Sequence, residues 1–145
     1  MTNSSLHRIF VYGSLRSGFK SPAYEYISRY FTFLAEGRVP GLLYDLGEYP
    51  AAIPAGTDQF IVGELYEARE GDQFEYVIGQ LDDYEGVLVE EGEQPLYRRE
   101  RTMVFTPQGA TEAWVYWYNG DVSGKPLVAS GDMVQYLQEK LRQQP

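Results

Sequence analysis

Runs of β-prone residues outnumber helical runs along this chain, and the helical runs do not alternate with them. "RIFVYGSL" reads as a first strand. "SPAYEYISRYF" has helical spacing, with Ser21 as N-cap and Pro22 at the first helical position. "FLAEGRVPGLLYDLG" reads as an extended pair interrupted by Pro40 and Gly41, and "EYPAAIPAG", rich in proline and glycine, as loop. "QFIVGELYEA" reads as a strand, and "YRRERTMVFT" alternates, with Arg99, Arg101, Met103 and Phe105 on one face. "EAWVYWYNG" is aromatic and β-prone and ends at an Asn119-Gly120 turn. "SGDMVQYLQEKLRQ" closes as a helix striped by Met133, Tyr136, Leu137 and Leu141. Strands without regular helical crossovers exclude a doubly wound sheet and predict an α+β fold. The economical solution is a curved, mostly antiparallel sheet or barrel with helices against it. A length of 145 residues favours one domain, 1–145.

Composition narrows the chemistry. There is no cysteine, which removes disulfides, thiolate metal sites and a cysteine nucleophile, and suits a reducing cytoplasm. Lys plus Arg is 12 against 21 for Asp plus Glu, a net charge of −9 that repels phosphate backbones and makes nucleic acid a poor partner. No apolar run is long enough to predict a membrane span. "MTNSSLHRIF" lacks the apolar core of a secretory signal, so none is expected. The 13 tyrosines suit strands, and they also suit a pocket needing apolar faces with hydroxyl tips.

"DQFEYVIGQLDDYEG" carries an acid in an unusual place. Asp72 followed by Glu75 resembles a capping box. Phe74, Val77, Ile78 and Leu81 then form one helix face. Glu85 lies eleven positions after Phe74, and at about 100° per residue it returns to within roughly 20° of that face. A helix running that far turns Glu85 inward and Asp83 toward water, and Gly86 can end it. Burial and the negative end of the helix dipole both raise the pKa of a carboxylate there, as a general base near neutral pH requires. A helix fraying at Asp82 or Asp83 would instead leave Glu85 in solvent.

"FVYGSLRSG" is a strand that stops at a glycine turn. Gly13 and Gly18 have phosphate-loop spacing, but Phe19 stands where that loop needs lysine. Ser14 as nucleophile lacks a base, since the only histidine is His7, near the N-terminus. Two readings stay open: an ordinary tight turn, and a turn whose successive N–H groups point at an anion.

Taken in order, "FVYGSLRSG", "GLLYDLGEYPAAIP", "VGELYE", "LDDYEG", "LYRRERTMV" and "AWVYWYN" with "SGDMVQY" resemble the motifs of the γ-glutamylcyclotransferase-like (AIG2-like) family across nearly the whole chain. The resemblance implies a small mixed barrel with flanking helices and a cavity at one end. It implies release of 5-oxoproline from a small γ-glutamyl amine or γ-glutamyl amino acid, without metal or organic cofactor. Glu85 is then the general acid and base. Tyr12, Gly13, Ser14 and Leu15 form the substrate-binding turn, and Tyr118 offers a hydroxyl at the cavity mouth, with Tyr116 on the same face. Arg16 meets an anionic substrate or the surface. Tyr97 and Arg98 match the Y-x-R strand, where Arg98 is a candidate partner for a carboxylate. Asp45 and Glu64 are expected to be structural. The "EYPAAIP" loop and the acidic segment 90–95 are candidates for choosing the leaving amine, although the latter also reads as an exposed hairpin loop. A binding module of the same fold without turnover is the alternative, and an interaction protein with a vestigial cavity is a third reading.

Overall fold

The computed structural model describes residues 7–12, 22–46, 50–56, 59–69, 74–84 and 97–142. Its elements run β1 (Arg8–Val11), α1 (Pro22–Tyr30), β2 (Phe31–Asp45), β3 (Pro50–Pro54), β4 (Phe60–Ala68), α2 (Phe74–Tyr84), β5 (Tyr97–Thr106), β6 (Gly109–Tyr118) and α3 (Met133–Arg142). The strands follow the order β3-β2-β4-β1-β6-β5, and β2 pairs with β5 through Arg38 and Phe105, which closes β2, β4, β1, β6 and β5 into a ring. The β1–β6 pairing is parallel and the other pairings are antiparallel, so the barrel is mixed, as expected. None of the described helices is long and apolar enough to cross a membrane.

Two readings of the sequence need correction. Pro40 and Gly41 do not interrupt the chain; β2 is one strand of 15 residues. They mark where it changes partner, since residues 31–40 pair with β4 and residues 41–45 with β3. The "PAAIP" stretch is strand rather than loop. It lies at the edge of the sheet with a proline at each end, where a missing N–H costs no ladder bond inside the sheet. Long-range pairing overrode the local breaker signal in both places.

Alternation along β1 divides the core. Phe10 and Tyr12 join Val39, Leu43, Ile61, Leu65, Val104, Val115 and Trp117, drawn from strands all round the ring, and these fill its interior. Ile9 and Val11 face the other way, against Ile27 of α1 and Phe74, Val77, Ile78 and Leu81 of α2. Closing so small a ring brings backbones close together. Gly37 and Gly63 are register partners on β2 and β4; a Cβ on Gly63 would lie 2.3 Å from the Val11 carbonyl oxygen, and one on Gly37 would lie 2.9 Å from Val104.

The closing helix is capped by Asp132, whose carboxylate accepts the Gln135 N–H at 3.2 Å. Asp45, buried at the end of β2, accepts from the Tyr136 hydroxyl at 2.8 Å and from Lys140 Nζ at 3.0 Å, tying α3 to the barrel. The structural role expected of Asp45 is therefore observed. Burial, followed by the hydrogen bond to Asp45, raises the Tyr136 pKa above its ordinary 10.0, and the bond to Asp45 raises Lys140 above 10.5. Both groups are held in their protonated forms. The stability they contribute is fully present below their ordinary values and is lost as the pH rises through the raised ones. Asp45→Asn is expected to cost about 1–2 kcal/mol near neutral pH. Urea midpoints of the two proteins should converge as the pH passes the ordinary tyrosine and lysine values, and an undiminished difference there would contradict the latch.

Candidate active site

The α2 face predicted from spacing is the buried one: Phe74, Val77, Ile78 and Leu81 are each at most 4% exposed. The helix continues through Asp82 to Tyr84, so it does not fray at Asp82. Asp82 sits on the flank of the apolar stripe and is itself buried. Arg99 on β5 grips it with two bonds, Nε to Oδ1 at 2.7 Å and Nη2 to Oδ2 at 3.0 Å. The Tyr116 hydroxyl on β6 donates to the same Oδ1 at 2.8 Å. Arg99 and Tyr116 are register partners across β5 and β6, so one cross-strand pair holds the last turn of α2. The guanidinium of Arg99 also lies 4.4 Å from the centre of the Trp114 ring.

Tyr116 is also tied to the end of β1. Ile9 pairs with Trp114 in the parallel β1–β6 ladder, which sets Val11 level with Tyr116. The hydroxyl of Tyr12, the residue at which β1 has ended, donates to the Tyr116 carbonyl oxygen. Tyr116 therefore contacts both Tyr12, which precedes residues 13–15, and Asp82, three positions before Glu85. Next along the same face, Tyr118 sets its ring edge-on against Tyr97 at 5.5 Å, and the Tyr97 hydroxyl donates to the Pro50 carbonyl at 2.6 Å. The end of the Tyr118 side chain lies over Gly120.

Of the residues implied by resemblance, Tyr12 is buried and Tyr118 half-buried, and they sit at the same end of β1 and β6. Gly13, Ser14, Leu15, Arg16 and Glu85 lie outside the described residues, as do Asp72 and segment 90–95. Arg98, the arginine considered for a carboxylate, pairs with one, Glu100 at 3.2 Å, and also bonds the Tyr118 carbonyl and Asn119. Its neighbour Arg99 is the arginine that holds an α2 acid. Glu64 is the register partner of Val11 and is buried, with the Tyr66 hydroxyl donating to it at 2.9 Å. It borders an open cleft of about 360 Å³ with Ser28, Glu36 and Arg69, on the outer face of β2 and β4. His7 packs against Phe74 with ring centres 5.1 Å apart.

Sequence reasoning missed Asp82 and Tyr116 as a linked pair. A signal existed. The alternation that puts Arg99 on one face of β5 and Tyr116 on one face of β6 was legible, as was an acid beside the apolar stripe of α2. Their meeting depends on the register of strands distant in sequence. Chemically, the arrangement ties the last turn of α2 to the barrel through Asp82, with the Arg99 charge matched by that carboxylate, a wall of tyrosine rings, and the departing end of β1 on the same seam.

Comparison with known proteins bears on what such an end could serve. Residues 9–135 match the family described as Gamma-glutamyl cyclotransferase, AIG2-like. A candidate gamma-glutamylcyclotransferase of Vibrio cholerae is 35% identical over 129 residues, covering 89% of this chain and 96% of its own. YtfP of Escherichia coli, a gamma-glutamylcyclotransferase family protein, is 34% identical over 127 residues, covering 86% of this chain and 94% of its own. The YtfP solution structure superposes with a TM-score of 0.58 at 29% identity, covering 89% of this chain and 97% of that one. The crystal structure of YkqA from Bacillus subtilis gives a TM-score of 0.70 at 23% identity. It covers 96% of this chain, which spans only 44% of YkqA, and shows likeness of fold.

Proposed function

The chain belongs to the gamma-glutamyl cyclotransferase, AIG2-like family, and from that membership we propose that it releases 5-oxoproline from a γ-glutamyl amine or γ-glutamyl amino acid. Glu85 acts as general acid and base in this reading. Tyr12, Gly13, Ser14 and Leu15 hold the substrate, and Tyr118 borders the hollow.

The chemistry balances within these parts. The substrate's α-ammonium gives a proton to the Glu85 carboxylate, and the freed amine attacks the γ-carbonyl carbon. A new C–N bond closes the five-membered ring. The bond to the leaving nitrogen then breaks as that nitrogen takes the proton back from Glu85, and the ring nitrogen gives up its second proton through the regenerated carboxylate to the departing amine, which leaves as an ammonium. Backbone N–H groups of the turn stabilise the substrate carboxylate or the oxyanion that develops on the carbonyl. Attack is intramolecular, so holding the chain folded supplies much of the rate.

One observation supports this reading most directly. Tyr12, the first residue of the proposed turn, and Asp82, three positions before Glu85, are both hydrogen-bonded to Tyr116, on the same seam of the barrel. Incubation with γ-glutamyl-alanine and γ-glutamyl-ε-lysine should yield 5-oxoproline, detected by chromatography. Tight calorimetric binding of these compounds with no product would favour a binding module of the same fold. Neither binding nor product across a wider γ-glutamyl panel would sink the proposal.

A further inference from the structure

We infer that Asp82 and the Tyr116 hydroxyl are positioning residues for the proposed cyclisation, which rests on the reading above. They are not expected to touch substrate. The last turn of α2 must leave the helix with its acid aimed, and a surface helix end frays unless something holds it. Here the hold is specific. A carboxylate on the helix flank is 6% exposed, receives a bidentate guanidinium, and takes a hydroxyl bond at 2.8 Å from the residue whose carbonyl secures Tyr12. Three elements, α2, β5 and β6, converge on that carboxylate, and the fourth, β1, is joined through Tyr116. Each polar contact needs a defined geometry, unlike the apolar packing that holds the rest of α2. A shift of about 1 Å in a catalytic group is enough to cost on the order of 100-fold in rate, so a helix end fixed by directional bonds controls turnover more than binding.

Tyr116→Phe tests this, because it removes one oxygen and keeps the ring. With whichever γ-glutamyl compound the wild type turns over best, kcat should fall roughly 10- to 100-fold while KM stays within about threefold. Asp82→Asn should behave alike, and Asp82→Glu should recover part of the loss. The double variant should be little worse than either single one. Asp45→Asn loosens α3 and serves as control: it should lower the melting temperature and leave kcat near wild type. If Tyr116→Phe keeps full kcat, or if kcat falls in Asp45→Asn in the same proportion to lost stability, the positioning role is overturned while the cyclisation stands. If the wild type forms no 5-oxoproline at all, both fall together.

Discussion

Glu85→Gln is expected to lower 5-oxoproline release by about 10²- to 10⁴-fold, the usual worth of a positioned general acid and base. Glutamine keeps the shape and hydrogen-bonding capacity of the side chain and removes its ability to exchange a proton. KM should therefore change little, and the loss should sit in kcat. The melting temperature should hold, because the apolar face of α2 and the grip on Asp82 do not depend on residue 85. A carboxylate acting as base also implies a rate that rises with pH through its own titration, and Glu85→Gln should flatten that limb. Full activity in the variant would remove Glu85 from the mechanism.

Arg99→Met carries the largest expected effect on stability. The change strands a buried carboxylate: the Asp82 side chain is 8% exposed and that of Arg99 22%. Removing one partner of a fully buried pair costs about 3–5 kcal/mol, and the partial exposure of Arg99 places this case near 3 kcal/mol. Methionine keeps the aliphatic stem but loses the guanidinium over the Trp114 ring, so about 0.5–1 kcal/mol of the loss belongs to that cation–π contact and the rest to the charge pair. At this chain length that amounts to a fall of roughly 6–12 °C in melting temperature. Asp82→Asn in the Arg99→Met background should restore part of it, because the stranded charge is gone. A drop within the range of an exposed surface pair, about 0–1 kcal/mol, would show that the pair is not buried in solution.

Periodicity made much of this fold legible. The stripe of α2, the alternation of β5 and β6 and the helical spacing of α3 rest on local pattern, which the folded chain keeps. The partner change at Pro40 and the edge strand "PAAIP" were not legible, because breaker residues signal a turn unless another strand supplies the pairing. The site divided in the same way. Counting turns predicts an inward acid at Glu85, and the sequence predicts a glycine turn at residues 13–15; both positions lie outside the described residues. Asp82 could not be read as buried, since at its angle on the helix an acid normally faces water; only Arg99 and Tyr116, brought together by β5–β6 register, make its burial tolerable. The Y-x-R strand also hid its own answer, because adjacent arginines point to opposite faces and only pairing decides which one meets the helix.

The most direct measurement is a crystal structure of the protein with 5-oxoproline bound. The account predicts the lactam in one hollow, its oxygens accepting amide hydrogens from residues 13–15 and its ring nitrogen facing the Glu85 carboxylate at about 3 Å. Finding that carboxylate and those amides on separate surfaces, with the ligand touching only one of them, would contradict it.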